Sequence, residues 1–398
     1  MSSISEEKVS NKNKLNEVVT EISDKSEAGK KQKKIRNKPR KIAKIITIIF
    51  VILLLVMLVG NGILTVVIYN QNFNVRGDSY EPLMFYVEDF QGLSRTQYEF
   101  TSDKGQKLAG YLYEASDENE SDGPKGVIVL AHGFGGGGHN SYMDVANYFA
   151  QNGYYVFAYD ATGCDESEGE GVGGFPQGVM DLDHAITFVE GLDKTKDLPI
   201  CLFGHSWGAY CVSCIPKYHP EVKAIIECAG FNSSAEEFEA QGKEQAGSYI
   251  YTMMPYVHLY ERYKYGEYSK CNALDGLAST DAKVMVVHSQ DDGVVPISVG
   301  YDKYYEKFKD DDRFKFVELQ DKGHSIFNDY TYADEFDSGF DEWLKTLDYD
   351  YNQEENKERF MEDKADYIHK NLDREKWTDT LDKDLFGQFL AFYDEAVR

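Results

Sequence analysis

Short apolar runs alternate with longer segments of helical periodicity from residue 97 onward. The runs are rich in β-branched and aromatic residues. They predict eight strands: Gln97–Thr101, Lys107–Glu114, Gly126–Ala131, Tyr154–Tyr159, Pro199–Phe203, Lys223–Cys228, Lys283–His288 and Phe314–Leu319. The segments between them predict five helices: Tyr142–Asn152, Gly178–Leu192, Trp207–Tyr218, Ile297–Phe308 and Ala333–Leu347. Uninterrupted apolar strands separated by helices are typical of a mostly parallel sheet with helices on both faces. The pattern therefore predicts an α/β fold built on an eight-stranded sheet.

Two segments depart from this alternation. Residues 231–280 lie between the sixth and seventh strands and are too long for an ordinary loop. They include the aromatic, apolar stretch Tyr249–Tyr260, which suits a small helical lid over an apolar pocket and equally suits packing onto the sheet. Residues 351–398 follow the domain 97–350 and predict two amphipathic helices, as a C-terminal helical extension. The apolar faces of these helices are Phe360, Tyr367, Ile368 and Leu372, and Leu385, Phe386, Phe389, Leu390 and Tyr393. We expect both helices to dock on the domain, and a separate partner-binding module is the alternative.

An uncharged run of 25 residues, 45–69, stands near the start of the chain. At about 1.5 Å per residue it spans roughly 37 Å, enough to cross the hydrocarbon core of a bilayer with some tilt. Residues 30–44 hold nine Lys or Arg in fifteen positions, which favours retention of this end in the cytoplasm. We therefore expect a disordered basic cytoplasmic segment (1–44), a single transmembrane helix (45–69) in the cell membrane, and a linker (70–96) leading to an extracellular catalytic domain.

Composition excludes one class of partner and limits cofactor chemistry. The net charge of −26 argues against nucleic acid, because phosphate binding requires a basic surface. Cys211 and Cys214 form a CxxC pair, but no second pair stands at the spacing that a zinc site needs. We expect mostly free, buried thiols, no metal and no cofactor. Composition does not determine the oligomeric state.

The pentapeptide GHSWG, residues 204–208, falls where the predicted fifth strand turns into a helix. This is the context in which a nucleophilic serine is presented at the carboxyl edge of a sheet, so Ser206 is the candidate nucleophile. The peptide N–H of Trp207 would then point toward a developing oxyanion. A second donor is expected in the glycine-rich stretch HGFGGGG after the third strand, and we assign it to the N–H of Phe134.

Candidates for the acid and the base follow the last two strands. Asp291 and Asp292 come after the seventh strand, where a carboxylate can orient a histidine. Asp292 is favoured by its D-x-x-V-P register, and Asp291 stays open as the alternative. His324 follows a glycine after the last strand, which places its imidazole within reach of the sheet edge. The order Ser, Asp, His matches that of α/β hydrolases.

Residues 97–347 resemble the serine aminopeptidase-like or monoglyceride lipase-like branch of the α/β hydrolases, through the HGFGG and GHSWG motifs in this order. The resemblance implies Ser206 as nucleophile, His324 as general base, Asp292 as the third triad member and two backbone oxyanion donors. One motif departs: where relatives have D-x-R-G-x-G-x-S, residues 160–167 read DATGCDES, without the arginine and the second glycine. Contacts that this motif makes near the site are therefore in doubt.

Together with the apolar run 45–69, the resemblance implies a membrane-anchored serine hydrolase that cleaves carboxylic esters through an acyl-enzyme, with lipid-derived, lysophospholipase-like substrates among the candidates. A peptidase acting on short peptides and an acyltransferase use the same intermediate and are the alternatives. A catalytically inactive binding module is a fourth hypothesis, which the complete set of candidate residues disfavours.

Overall fold

The computed structural model describes residues 3–116 and 123–398. Two compact units are present, one ending at Leu64 and the other comprising Thr65–Arg398. Helix α1 (Ser3–Phe73) is the one described helix that is long and apolar enough to cross a membrane, by length and composition. Residues 3–44 lie in this helix, whereas their composition predicts disorder. The abundance of Lys and Glu, both good helix formers, is consistent with the helical conformation.

The second unit is built on one eight-stranded sheet, as predicted. Its strands are β1 (Leu93–Thr101), β2 (Lys107–Ala115), β3 (Val127–Ala131), β4 (Tyr155–Tyr159), β5 (Ile200–His205), β6 (Ala224–Cys228), β7 (Lys283–Ser289) and β8 (Phe314–Leu319). Their order in space is β1-β2-β4-β3-β5-β6-β7-β8. β1 and β2 form an antiparallel hairpin that also pairs antiparallel with β4, and every later pairing is parallel.

Five helices follow the strands at the predicted places. They are α2 (Met143–Gln151), α3 (Phe175–Gly191), α4 (Trp207–Cys214), α8 (Tyr301–Phe308) and α9 (Thr331–Leu344). The insertion after β6 forms α5 (Ser234–Ala246), α6 (Ile250–Tyr265) and α7 (Ala273–Ala278). The C-terminal extension forms α10 (Lys357–Asn371), the short α11 (Arg374–Thr378) and α12 (Lys383–Ala396). α4 ends earlier than its periodicity predicts and continues as a 3₁₀ turn that contains Pro216, a residue that cannot continue the α-helical hydrogen bonds.

Both faces of the sheet are buried. Successive residues of β3 alternate between two clusters, with Val129 in one and its neighbours Ile128 and Leu130 in the other. The first cluster includes residues of α3, α4 and α8, and the second includes residues of α2 and α12. The hydroxyl of Tyr393 on α12 donates to the carbonyl of Leu202 at 2.6 Å. The C-terminal extension therefore completes one face of the core.

Candidate active site

The backbone at Ser206 adopts a conformation that few residues other than glycine tolerate. Ser206 joins β5 directly to α4 with φ at 56°. A side chain at Gly204 would collide with the backbone of α4, and one at Gly208 would collide with the end of β3. The GHSWG glycines thus permit β3, β5 and α4 to approach closely, and the resulting turn holds the serine at the carboxyl edge of the sheet.

His324 and Asp292 form a hydrogen-bonded pair at the same edge. Nδ1 of His324 lies 2.8 Å from Oδ2 of Asp292, and the other carboxylate oxygen accepts the backbone N–H groups of Val294 and Val295 at 2.8 and 2.9 Å. Burial opposes ionisation of Asp292, but hydrogen bonds from His288 and His324 hold its pKa well below the ordinary value. Asp292 is therefore a fixed carboxylate at neutral pH, able to orient the imidazole.

The competing aspartate has a different set of partners. Asp291 is exposed and accepts the hydroxyl of Ser289 together with the backbone N–H groups of Lys322 and Gly323. Its hydrogen bonds therefore shape the loop that precedes His324. Asp292, and not Asp291, is the aspartate that the structure pairs with His324.

The first two residues of the glycine-rich loop after β3, His132 and Gly133, take part in three side-chain hydrogen bonds. The N–H of Gly133 donates to the hydroxyl of Tyr142 at 3.0 Å, so the N–H of Phe134 is the next donor along the loop. His132 accepts the N–H of Ala161 through Nε2, and its Nδ1 lies 2.7 Å from the carbonyl oxygen of Gly133. Burial lowers the pKa of His132, so this residue is a neutral structural group. Trp207 is the first residue of α4, where a backbone N–H has no intrahelical acceptor.

One cavity of about 560 Å³ brings Ser206, His324 and Phe134 together. Most of its other walls are apolar, and they are contributed by Ile68, Phe73, Phe175, Phe231, Phe238, Ile250, Met253, Val294 and Val295. The insertion therefore covers the cavity through α5 and α6 and also packs against the rest of the unit. The contribution of Ile68 and Phe73, from the end of α1, has no counterpart in the sequence-based expectations.

The family described as "Serine aminopeptidase, S33" matches residues 122–273. This segment contains the glycine-rich loop and the strand-to-helix turn at Ser206. It includes strands β3 to β6 of the sheet, whose order is β1-β2-β4-β3-β5-β6-β7-β8. The chain has an α/β-hydrolase fold, and its residues 122–273 are similar to this family.

The solved structures that this chain resembles share little sequence identity with it. An esterase of Pyrococcus furiosus is 17% identical, with 66% of this chain and 94% of that chain covered and a TM-score of 0.47. The acylaminoacyl peptidase of Pyrococcus horikoshii is 17% identical, with coverages of 60% and 38% and a TM-score of 0.43. Acetyl xylan esterase 1 of a Thermoanaerobacterium species is 15% identical, with coverages of 64% and 84% and a TM-score of 0.45. The search of curated proteins found no match to this chain.

A hydrogen-bonded chain links three parts of the candidate site, and sequence reasoning missed it. Nε2 of buried His205 lies 3.0 Å from the carbonyl oxygen of His324, and Nδ1 lies 2.8 Å from the hydroxyl of Tyr142. That hydroxyl is the group bound by the N–H of Gly133. Burial, with a contribution from the nearby His324 ring, lowers the pKa of His205 to about 3. Neutral His205 can thus donate to the carbonyl oxygen of His324 and accept from the hydroxyl of Tyr142. The sequence feature that could have indicated this role is the position of His205 next to Ser206 in GHSWG.

A second imidazole and a second carboxyl group lie behind Asp292. Nε2 of buried His288 is 3.2 Å from Oδ2 of Asp292, the oxygen that also binds His324. Burial raises the pKa of Glu227 to about 7. Within the described part of the chain, Oε2 of Glu227 and Nδ1 of His288 are buried without hydrogen-bond partners. Because the charge of Glu227 acts on His288, titration of this acid near neutral pH alters the electrostatic environment of the His288 imidazole.

The departing segment, residues 160–167, is bound by residues from other parts of the chain. Asp165 stands where the family motif has its second glycine, keeps a positive φ of 36°, and accepts backbone N–H groups of Gly138 and Ser79. Arg76, from the segment after α1, donates to the carbonyl groups of Asp165, Ser167 and Gly169. An arginine is thus bound to this loop from a distant part of the chain, which local sequence patterns do not reveal.

Proposed function

We propose that this α/β hydrolase is a membrane-anchored serine hydrolase that cleaves carboxylic esters through a Ser206–His324–Asp292 triad. The observation that carries the proposal is the 2.8 Å contact between His324 and Asp292, with His324 lining the same apolar cavity as Ser206. An apolar cavity suits the acyl part of an ester better than a charged substrate.

The chemistry follows from the groups at the sheet edge. His324 removes the proton of Ser206 as the Oγ atom attacks the ester carbonyl, and the N–H groups of Phe134 and Trp207 stabilise the oxyanion. The C–O bond to the alcohol breaks as His324 returns the proton to the departing oxygen, which leaves an acyl-enzyme. Water attacks the acyl carbon, His324 takes its proton, and the acid is released as that proton returns to Ser206.

The membrane part of the proposal rests on α1. Its run of 25 uncharged residues, 45–69, meets the length and composition of a membrane-spanning helix. By the positive-inside rule, the preceding basic residues favour an N-terminus in the cytoplasm and a catalytic unit outside the cell membrane.

A fluorophosphonate probe tests the nucleophile directly on the full chain in detergent. The wild type is expected to be labelled at Ser206, and Ser206→Ala is expected to lose both labelling and ester hydrolysis. Ser213→Ala is the matched control, since within the described residues this buried hydroxyl of α4 has no hydrogen-bond partner. Labelling of Ser206→Ala at the wild-type rate, or an unlabelled wild type that hydrolyses esters, would contradict the proposal.

A second candidate function is hydrolysis of short peptides with a free N-terminus. Glu237 lines the cavity beside Ser206 and His324 and is 3% exposed. Within the described chain its Oε2 has no hydrogen-bond partner. Burial raises the pKa of Glu237 to about 7. An ionised carboxylate at this place could bind the ammonium group of a peptide, which gives the aminopeptidase description of the family a structural basis in this chain.

Glu237→Gln separates the two functions. If peptides are the substrate, this variant is expected to lose about 100-fold in kcat/KM for aminoacyl amides, because a buried charge pair is removed. Wild-type amide hydrolysis should then rise with pH through about 7, as Glu237 becomes ionised. If uncharged esters are the substrate, Glu237→Gln retains ester hydrolysis and the amides react slowly throughout. Glu244→Gln, at an exposed acid of the same helix, is the control.

A further inference from the structure

The last two turns of α1 belong to the catalytic unit. Thr65 is the first residue of that unit, and the side chains of Tyr69 and Phe73 are buried within it, at 0% and 4% exposure. Ile68, Asn72 and Phe73 line the cavity that contains Ser206 and His324. The helix that carries the apolar run thus ends as a wall of the candidate active site.

This wall is fixed to the lid helix α6 by buried polar contacts. The hydroxyl of Tyr69 donates to Oε1 of Glu261 at 3.0 Å, and the hydroxyl of Ser234 donates to the same carboxylate. Glu261 is 1% exposed. A second bond joins the hydroxyl of Tyr260 to the side-chain oxygen of Asn70 at 2.9 Å. The end of α1 and the lid therefore form one packed structure around the cavity.

The cavity lies close to the end of the apolar run. That run ends at Tyr69, and Phe73 follows by four residues, which is roughly 6 Å along a helix. The outer side of α6 exposes Tyr251, Leu259 and Tyr263 at 49%, 69% and 87%. Exposed aromatic and apolar side chains at such a position are typical of the membrane–water interface.

We propose that the hydrolase takes its substrate from the bilayer that anchors it, and that the end of α1 is a specificity-determining wall for the acyl chain. This inference rests on the proposed ester hydrolase with a membrane-spanning α1. The ligand it implies is a long-chain acyl ester dissolved in the same bilayer, with its chain against Ile68 and Phe73 and its carbonyl carbon at Ser206. A fragment that begins at residue 70 would lack Ile68 and Tyr69, and with them part of this wall.

The test compares two neighbouring residues of α1 in the full chain, reconstituted in phosphatidylcholine vesicles. Ile68 lines the cavity, whereas Val67 is 45% exposed and is absent from the cavity lining. Ile68→Gln is expected to lower the ratio of kcat/KM for 4-nitrophenyl palmitate to that for 4-nitrophenyl acetate by about tenfold, because a polar group is buried against the acyl chain. Val67→Gln is expected to leave the ratio at the wild-type value. Equal ratios for the two variants would overturn the inference.

A photocrosslinking experiment tests the position of the acyl chain without requiring catalysis. Vesicles that contain a palmitoyl ester with a diazirine in its chain are irradiated with the Ser206→Ala variant, which cannot turn the ester over. Crosslinks within residues 65–73 are expected, and their absence alongside crosslinks elsewhere in the catalytic unit would overturn the inference. If these crosslinks form while the wild type hydrolyses neither ester, the proposed function fails and the acyl-binding wall stands.

Discussion

Replacement of Asp292 by asparagine is expected to lower kcat for ester hydrolysis by about 10⁴-fold, as loss of the third triad member does elsewhere. In the proposed triad, Oδ2 of Asp292 accepts from Nδ1 of His324 and thereby leaves Nε2 free to take the proton of Ser206. An asparagine can present its NH₂ group to Nδ1 of His324 and so stabilise the tautomer that carries its proton on Nε2. It also carries no charge to stabilise the imidazolium. Steady-state kinetics on a soluble short-chain ester provide the measurement.

Asp291→Asn is the matched control at the adjacent position. Asp291 binds Ser289 and the N–H groups of Lys322 and Gly323, so its loss loosens the loop before His324 without removing the partner of the imidazole. We expect at most about a tenfold loss in kcat from this variant, the cost of one or two charge-assisted hydrogen bonds. The assignment of Asp292 would be wrong if the two variants exchanged their effects.

The second large effect is expected at His205. In His205→Phe the bonds to the carbonyl of His324 and to the hydroxyl of Tyr142 are both lost, and the buried carbonyl is left without this donor. We expect kcat to fall by about 10- to 100-fold, because unsatisfied polar groups displace the loop that carries His324, the proposed base. The measurement is kcat together with the rate of fluorophosphonate labelling at Ser206.

His258→Phe, at an exposed histidine of α6, serves as the control for this substitution. Tyr142→Phe removes the same chain of bonds from its other end and should reproduce the direction of the His205→Phe effect. A value of kcat within twofold of the wild type in both variants would mean that these bonds do not position the candidate site.

The elements of the sheet could be predicted because each strand is a local pattern of apolar residues. The same patterns placed Ser206, the two aspartates and His324 after strands that share a carboxyl edge. From the sequence, only the D-x-x-V-P register favoured Asp292 over Asp291. In the structure, side-chain geometry pairs Asp292 with His324.

Contacts between distant parts of the chain could not be predicted in this way. Tyr69 and Glu261 are 192 residues apart, and no local pattern indicates that the end of an apolar helix lines a cavity. Arg76 likewise stands in a segment without periodicity, and its role appears only once it contacts Asp165 and Ser167. The place of Glu237 in the cavity wall could not be predicted either, because an acidic residue in a polar, helical stretch is usually exposed.

The position of α12 has a consequence for how the protein is made. Phe386, Phe389 and Tyr393 are fully buried against the sheet, yet they are synthesised after all eight of its strands. Until they are synthesised, α2 alone cannot cover this face of the central strands, and the nascent domain exposes apolar surface to solvent. Synthesis must therefore continue through α12 before this domain can close, and a premature stop near residue 350 would yield an aggregation-prone product.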